Sequence, residues 1–275
     1  MGIETKIEYC DSTANPVMGC SGCELYHREP ERNHCYAARL TRRYAGRPGW
    51  PGHFGEPMAF PERLEKALRW PDLRGTRRAG KPWLDGKPRV IFVNDLGDGF
   101  CPGAPPVEVW LYPYLDAMAE SPHVWLFLSK WPLRMYEAFI HEGRWWGATN
   151  FWFGTSYTGM MGSERLADLG RFANHRCTIW VSLEPLLGPV VTKLAAPEGF
   201  ASLYPPLPME ILDWVVVGGE TGPGARTAEV QWFLDVYEAC REWRVPYFFK
   251  QWGTAAGPRS WAPGGVLGPP REMAR

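Results

Sequence analysis

The sequence lacks several features that would assign its class at once. It contains no apolar run close to the roughly 18 residues of a membrane-spanning helix. Its first residues, Met1 to Lys6, lack the apolar core of a signal peptide. Neither sign of charge is in excess, because 30 Lys and Arg residues balance 30 Asp and Glu residues. We therefore expect a cytoplasmic protein that makes no membrane contact and does not hold nucleic acid through bulk positive charge.

The composition is that of a folded protein. Hydrophobic residues make up 45% and charged residues 22% of the 275 positions, which is enough to build a sizeable core. We expect a single α/β domain over residues 1–253. Within it, the Gly-, Pro- and Arg-rich residues 46–88 form an inserted loop region. The Pro- and Gly-rich residues 254–275 are expected to form a flexible tail.

Continuous apolar runs alternate along the chain with helical patterns. The runs of strand length are 89–93, 124–128, 150–154, 177–181, 213–217 and 245–249, with a further one near 5–9. The helical patterns are 35–45, 107–120, 132–142, 163–173 and 230–243. Continuous rather than alternating hydrophobicity is typical of parallel strands buried on both faces. This order predicts an α/β fold with a partial (β/α)6 TIM-like barrel, and an open parallel sheet is the alternative.

Cysteine placement indicates a metal site. The total of seven is odd, and three of them, Cys20, Cys23 and Cys35, fall near the N-terminus around the glycines at 19 and 22. Three thiolates can bind three irons of a 4Fe-4S cluster and leave the fourth iron free for a ligand. Zinc is the competing metal, with His27, His34 or Cys10 as its fourth ligand. The third possibility is that these cysteines are ordinary thiols in a loop that bind no metal.

Polar residues and glycines follow the predicted strands, at the edge where parallel α/β folds bind ligands. They are Asn94, Asp95, Asp98, Ser129, Lys130, Ser156, Glu184, Gly218, Gly219 and Glu220. Ser129 and Lys130 suit a carboxylate, and the acidic residues suit an amine or ribose hydroxyls. The glycines allow close approach of the backbone to a ligand. Together these residues predict a cofactor site.

Several short motifs resemble those of one family across residues 4–253. They are Asn15-Pro16-Val17-x-Gly19-Cys20, Cys35-Tyr36-Ala37, Lys81-Pro82-Trp83-Leu84-Asp85-Gly86, Asn94-Asp95-x-Gly97-Asp98, Ser129-Lys130-x-Pro132, Ser182-x-Glu184-Pro185, Gly218-Gly219-Glu220 and Lys250-Gln251-x-Gly253. The chain resembles the phage and prophage three-cysteine-motif proteins of unknown function. That family is similar, more distantly, to the radical S-adenosylmethionine (SAM) proteins of the spore photoproduct lyase type.

The resemblance implies a role for each matching residue. Cys20, Cys23 and Cys35 would bind the 4Fe-4S cluster, in a barrel of the radical SAM type. Ser129 and Lys130 would hold the SAM carboxylate, and Asp95 or Asp98 would lie near its amine or ribose. Glu184 and Glu220 would face the substrate or the cofactor as catalytic residues. The usual C-x3-C-x2-C spacing is absent, because eleven residues separate Cys23 from Cys35, and Cys10 is the alternative ligand to Cys23.

The resemblance also implies an activity and partners. We expect a radical SAM isomerase or base-modifying enzyme that acts on a nucleobase or nucleotide, such as a hypermodified thymine in phage DNA, inside a bacterial host. A flavodoxin-like or equivalent protein would supply the electron. Two rival hypotheses remain. One is a zinc-stabilised nucleic-acid-binding or interaction module, and the other is a metal-independent nucleotide-binding barrel that uses residues 218–222.

Overall fold

A curled sheet of seven parallel strands organises the chain. A computed structural model describes residues 2–27, 29, 34–140, 148–159, 164–190, 207–256 and 271–274. The strands are β1 (Ser12–Ala14), β2 (Val17–Met18), β3 (Met58–Ala59), β4 (Val90–Val93), β5 (Val124–Ser129), β6 (Phe151–Ser156), β7 (Thr178–Leu183), β8 (Trp214–Gly218) and β9 (Tyr247–Gln251). The helices are α1 (Tyr36–Tyr44), α2 (Glu62–Leu68), α3 (Val107–Trp110), α4 (Leu115–Glu120), α5 (Pro132–Ile140), α6 (Glu164–Leu169) and α7 (Val230–Trp243). The large sheet has the order β1-β4-β5-β6-β7-β8-β9, every neighbouring pair is parallel, and it forms a half-barrel.

The structure confirms the parallel α/β architecture and the six strands predicted from continuous apolar runs. It corrects two expectations. The seventh strand lies at Ser12–Ala14, after the apolar residues near 5–9. The pattern over 107–120 is not one helix, because a 3-10 turn at Tyr112–Tyr114 separates α3 from α4. Pro113 has no backbone N–H to continue the α-helical ladder there. Ser163, expected to open a helix, lies outside the described residues.

Strand side chains alternate between two buried faces. On the convex face, Phe127, Phe153 and Val217 belong to the same cluster as Phe139 of α5 and Phe233 of α7. The helices therefore cover this face. Both faces of the sheet are buried, which explains why the strands read as continuous apolar runs rather than as alternating ones.

Aromatic side chains fill the concave face. They are Tyr9, Phe92, Trp152, Trp180, Trp214 and Phe248, and we refer to them as the aromatic plug. The ring centroid of Tyr9 lies 5.8 Å from that of Trp214 and 6.0 Å from those of Phe92 and Phe248. Residues two apart on a strand share a face, so the concave positions beyond the plug carry other residues. These are Leu128, Lys130, Gly154, Ser156, Ser182, Glu184, Gly218 and Lys250. The concave face thus changes from aromatic to mainly polar towards the carboxyl ends of the strands.

The inserted region and the C-terminus pack against the N-terminal residues and the aromatic plug. In residues 46–88, β3 pairs with β2, and the Phe54 carbonyl accepts a hydrogen bond from the Cys20 amide at 2.9 Å. The Trp214 indole donates to the carbonyl of Glu272 at 2.7 Å, and Met273 and Ala274 are buried against the plug. Of the expected tail, residues 257–270 and 275 lie outside the described residues. Across the described ranges, no helix is long and apolar enough to cross a bilayer.

Gly154 provides a test of packing on the concave face. A Cβ atom at Gly154 would lie 2.5–2.7 Å from atoms of the buried Trp180 indole. Gly154→Ala should therefore lower the free energy of unfolding by about 1–3 kcal/mol. This exceeds the roughly 0.4–1 kcal/mol that alanine contributes by restricting the unfolded chain.

Urea unfolding measures this effect. Gly52→Ala is the matched control, because Gly52 is exposed and nothing lies within 4 Å of its Cβ position. A Gly154→Ala variant as stable as the control would contradict the close packing of Trp180 on β6.

Candidate functional site

Two loops at the carboxyl edge of the sheet are joined by their backbones. The loop after β2 meets the loop after β4 where the Gly19 amide donates to Leu96 O at 3.2 Å and the Asp98 amide donates to Gly19 O at 3.0 Å. A Cβ on Gly97 would lie 2.7 Å from both the nitrogen and the oxygen of Gly19. Gly19 itself has φ +101°, a conformation that favours glycine. The glycines are therefore required for this contact.

Two asparagines reinforce the contact between these loops. The side-chain oxygen of Asn94 accepts the Val17 amide at 2.9 Å, and that of Asn15 accepts the Leu96 amide at 2.9 Å. Both asparagines are buried. Asn94, expected among the cofactor-binding residues, thus has its side-chain oxygen engaged in holding the cysteine-bearing loop against β4.

The three N-terminal cysteines belong to one small hydrophobic cluster at this edge. Cys20 is buried, whereas Cys23 and Cys35 are half-buried. Cys35 is the residue that precedes the first turn of α1. Cys101 lies in the same cluster, and the thiol of Cys20 donates a hydrogen bond to the carbonyl of Gly22 at 3.9 Å. The structure therefore gathers four thiols, of which the sequence analysis identified three.

The other candidate metal ligands lie elsewhere. Cys10 belongs to the aromatic cluster on the concave face. His27 Nδ1 lies 3.8 Å from Glu29, and His34 Nδ1 lies 3.6 Å from Glu220. Among the described residues, no three His, Cys, Asp or Glu side chains converge closely enough to bind a single metal ion. A 4Fe-4S cluster does not require such convergence, because each thiolate binds a different iron.

Lys130 lies beside the cysteines in a buried network of charges. Its Nζ atom is 3.3 Å from Cys23 Sγ and 3.4 Å from Glu24 Oε1. Arg165 of α6 donates to both carboxylate oxygens of Glu24, at 2.9 and 2.8 Å. Burial raises the pKa of Glu24, but the hydrogen bond from Arg165 and the charge of Lys130 outweigh it and bring that pKa to about 2. Glu24 is therefore an anion that holds two cations at the edge of the site.

Asp98 and Ser129 connect the ends of β4 and β5. The Ser129 hydroxyl donates to Asp98 at 2.9 Å, and the Lys130 amide donates to the same carboxylate at 2.9 Å. The Phe100 amide donates to it as well, at 3.0 Å. Burial raises the pKa of Asp98, against the effect of these hydrogen bonds. Both side chains are thus engaged within the protein, where they fix the backbone that carries Lys130.

Glu184 and Lys250 form an ion pair on the concave face. Lys250 Nζ lies 2.7 Å from Glu184 Oε1, and the Ser182 hydroxyl donates to Glu184 Oε2 at 3.2 Å. The pair crosses β8 at Gly218, where a Cβ would lie 2.7 Å from Glu184 Oε1. Lys250 Nζ also lies 5.5 Å from the ring centroid of Tyr9. The polar end of the concave face therefore rests directly on the aromatic plug.

Asp95 and Tyr36 lie close to this pair. Asp95 accepts a hydrogen bond from the Asn15 amide group at 2.6 Å, and burial raises the pKa of Asp95. The Tyr36 hydroxyl donates to the backbone carbonyl of Asp95. Desolvation of the hydroxyl, with smaller contributions from Asp95 and Glu184 among others, raises the pKa of Tyr36 well above its ordinary value, although 48% of the residue is exposed. A neutral phenol and two carboxyl groups thus lie near one another beside Cys35.

Glu220 lies at the rim and is held by arginine. Arg226 donates to both carboxylate oxygens of Glu220, at 2.8 and 2.7 Å. Burial raises the pKa of Glu220, but the hydrogen bonds from Arg226 outweigh it, so the net shift is downward. Gly219 donates its amide to Gln251 O at 2.8 Å, and the buried Ser156 accepts a hydrogen bond from Arg165 at its carbonyl, at 3.2 Å. The Glu220 side chain is therefore engaged within the protein, whereas Gly219 and Ser156 make these contacts through backbone groups.

Several residues of the site were not identified as such from the sequence. They are Glu24, Tyr36, Cys101, Arg165, Arg226 and Lys250. Lys250 and Tyr36 stand in motifs that carry the family resemblance, so a signal for them existed. The sequence held no such signal for Arg165 or Cys101. Arg165 contacts Glu24 and Cys101 lies in a cluster with Cys20, about 140 and 80 positions away, and no local pattern relates residues so far apart.

Glu24 provides a test of the charge network. Its side chain is only 6% exposed, and those of Arg165 and Lys130 are 12% and 14% exposed. Glu24→Gln leaves two buried cations without their anion, so the free energy of unfolding should fall by about 3 kcal/mol. Chemical denaturation measures this loss.

Glu65→Gln is the control, because it removes a carboxylate from an exposed pair with Arg69. Such pairs contribute under about 1 kcal/mol. Equal stabilities of the two variants would show that Glu24 does not hold the network together.

Comparison with known proteins assigns a family. No curated protein and no solved structure matches the chain. A family model described as "Protein of unknown function (DUF5131)" matches residues 4–262. The chain therefore belongs to this family of proteins of unknown function.

Proposed function

We propose that this protein is a radical SAM enzyme that binds a 4Fe-4S cluster through Cys20, Cys23 and Cys35. The observation that carries the proposal is the gathering of these three cysteines in one cluster at the carboxyl edge of a parallel half-barrel. Eleven residues separate Cys23 from Cys35 in the sequence, yet both pack in the same cluster as Cys20. The unusual spacing is thus no obstacle to a common site.

The donor set suits an iron–sulfur cluster. Cysteine thiolates are the usual ligands of such clusters, and bound sulfur is anionic. Lys130 places a positive charge 3.3 Å from Cys23 Sγ, and Cys35 stands at the positive end of the α1 dipole. Both features favour anionic sulfur, whereas burial raises the pKa of Cys35. The inserted residues 46–88 pack against the cysteine-bearing loop through Phe54, which keeps water from one side of the site.

With SAM bound, a 4Fe-4S cluster supplies one-electron cleavage of the sulfonium to methionine and a 5′-deoxyadenosyl radical. The protein's part is to bind, orient and shield. Lys130, whose Nζ atom lies 3.3 Å from Cys23 Sγ, would bind the SAM carboxylate. Asp98 and Ser129 act on SAM through the placement of Lys130, since their own side chains bond to each other and to backbone amides.

The Glu184–Lys250 pair and Asp95 are the groups that we assign to the substrate side. Glu184 and Lys250 occupy the concave face and are 14% and 23% exposed, and the carbonyl of Asp95 accepts the Tyr36 hydroxyl. Glu184 is held as a hydrogen-bonded partner of Lys250 and is positioned to accept a proton or an amine hydrogen bond. Glu220 is held by Arg226 at the rim, where it would contact the cofactor or the substrate.

The substrate part of the proposal is a nucleobase or nucleotide, such as a hypermodified thymine in phage DNA. Its support is the resemblance to the spore photoproduct lyase type of radical SAM protein. A rearrangement or isomerisation at the base suits radical chemistry at an unactivated carbon. The enzyme would then need a flavodoxin-like or equivalent electron donor, in the cytoplasm of a bacterial host.

A zinc-stabilised binding module is the second candidate, because Cys101 places a fourth thiol in the cluster that contains Cys20, Cys23 and Cys35. The described thiols do not converge on one point, so zinc would have to draw them together on binding. A structural zinc site uses four such ligands in tetrahedral geometry. Metal analysis of anaerobically purified protein separates the two functions. About one zinc per chain without iron would favour the binding module.

Anaerobic reconstitution with iron and sulfide tests the enzyme proposal. The wild-type chain should bind about four irons, and after reduction with SAM present it should release 5′-deoxyadenosine. Cys20→Ser, Cys23→Ser and Cys35→Ser should each lose the cluster and the product. Iron analysis and liquid chromatography measure the two outcomes.

Cys240→Ser is the matched control, because Cys240 is buried on α7 within the convex-face cluster. It should retain both iron and product. Reconstituted wild-type protein that carries a cluster and yields no 5′-deoxyadenosine would overturn the radical SAM assignment.

Lys130 tests the cofactor-binding role. Lys130→Met removes the charge proposed to bind the SAM carboxylate, an interaction that contributes about 1.5–3 kcal/mol. The dissociation constant for SAM, measured by equilibrium dialysis with the reconstituted protein, should therefore rise roughly 10- to 100-fold. Lys66→Met on the exposed side of α2 should leave it unchanged. Equal SAM affinity in the two variants, at equal iron content, would exclude Lys130 as a SAM ligand.

A further inference from the structure

Several arginines lie on helix α1 and just after it, on the side away from Cys35. Arg42, Arg43 and Arg47 are exposed, and Arg39 is half-buried. Within the described ranges, none of Arg42, Arg43 and Arg47 forms an ion pair with a carboxylate. This is a local excess of positive charge on a chain whose net charge is zero.

Aromatic rings lie among these arginines. The ring centroids of Tyr44 and Trp50 are 4.8 Å apart. The guanidinium carbons of Arg43 and Arg47 lie 5.6 and 5.1 Å from the Tyr44 ring centroid. Both rings are partly accessible to solvent. We refer to Arg42, Arg43, Tyr44, Arg47 and Trp50 as the α1 patch.

Stabilisation of the helix alone does not account for the α1 patch. Arg42 and Arg43 stand in the last turn of α1, where cations interact favourably with the helix dipole by about 0.3–1 kcal/mol each. Arg47 lies beyond the helix end at Tyr44, and the dipole effect is confined to the last turn. Solvation of the arginines does not explain why the rings of Tyr44 and Trp50 lie beside them either.

The α1 patch is continuous with the proposed active site. Cys35 immediately precedes α1, and at 1.5 Å per residue Arg43 is about 12 Å along the helix axis from it. Arg39, between them, donates to the carbonyls of Thr221 and Pro223 in the loop after β8. The helix therefore runs from the rim of the half-barrel to the α1 patch, with Tyr36 exposed at its inner end.

We infer that the α1 patch binds a nucleic-acid strand and leads it to the mouth of the half-barrel, so that the substrate is a base within a polynucleotide. The arginines match the charge of successive phosphates. Tyr44 and Trp50 offer faces on which bases stack, as in proteins that bind single strands. An acidic protein, such as an electron donor, would match the charge but would not need the aromatic faces. The inference builds on the nucleotide part of the proposed function and identifies the polymer as its substrate class.

Fluorescence anisotropy with a labelled single-stranded DNA oligonucleotide tests this, over a series of salt concentrations. The wild-type full-length chain should bind with an affinity that falls steeply with salt. Arg42→Gln/Arg43→Gln/Arg47→Gln removes three phosphate contacts. It should reduce the slope of log K against log salt by about two to three, and weaken binding roughly 100-fold at 0.1 M salt. Tyr44→Ala should weaken binding to the single strand about tenfold.

Arg69→Gln/Arg74→Gln/Arg77→Gln is the charge-matched control, because these arginines are exposed on the inserted region. It should bind DNA like the wild type, with circular dichroism confirming that both triple variants are folded. Equal DNA binding by the two triple variants, or no salt-dependent binding by the wild type, would overturn the inference. The inference would also be overturned if the Arg42→Gln/Arg43→Gln/Arg47→Gln variant lost binding to an acidic flavodoxin but still bound DNA. DNA binding needs neither iron nor SAM, so this result stands apart from the reconstitution experiment.

Discussion

The close approach of two backbones, at Gly19 and Gly97, is the constraint on which the site depends. A side chain at Gly97 would collide with the peptide of Gly19, so the contact exists only because both positions are glycine. The side-chain oxygens of Asn15 and Asn94 then accept backbone amides across the same two loops, from Leu96 and Val17 respectively. Once these loops are joined, Cys20 necessarily lies over the turn that follows β4. The position of the cysteines is thus set by backbone geometry before any metal is considered.

Buried charge is the second feature that shapes this edge of the sheet. Charged groups removed from water need partners, and two of the pairs here join elements that are distant in sequence. Glu24 joins the cysteine-bearing loop to α6 through Arg165 and to β5 through Lys130. Glu184 joins β7 to β9 through Lys250. These pairs fix the orientation of the loops around the cysteines, which is the precision that a cofactor site requires.

The sequence predicted the parallel sheet because both faces of each strand are buried, so hydrophobicity is continuous and easily recognised. It also led us to expect Cys20, Cys23 and Cys35 and the strand-end residues at one edge, because parallel strands bring their carboxyl ends together, and the structure places these cysteines in one cluster there. It did not predict which polar residues would be used within the protein. Asp98 and Ser129 bond to each other, and Asn94 holds a loop, because of contacts between segments that no local pattern relates. Cys101 was missed for the same reason, because only the folded chain brings it into the cluster of Cys20.

Formal charge illustrates how composition and arrangement differ. A net charge of zero argues against a protein coated with positive charge, and the structure is compatible with that. Yet the acidic residues of the site, Glu24, Glu184 and Glu220, are each paired with a Lys or Arg in the interior or at the rim. Their charges are therefore compensated locally and do little to offset the exposed arginines of the α1 patch beyond a Debye length of about 10 Å. A polyanion approaching the mouth would meet the field of these arginines rather than the average of the whole chain.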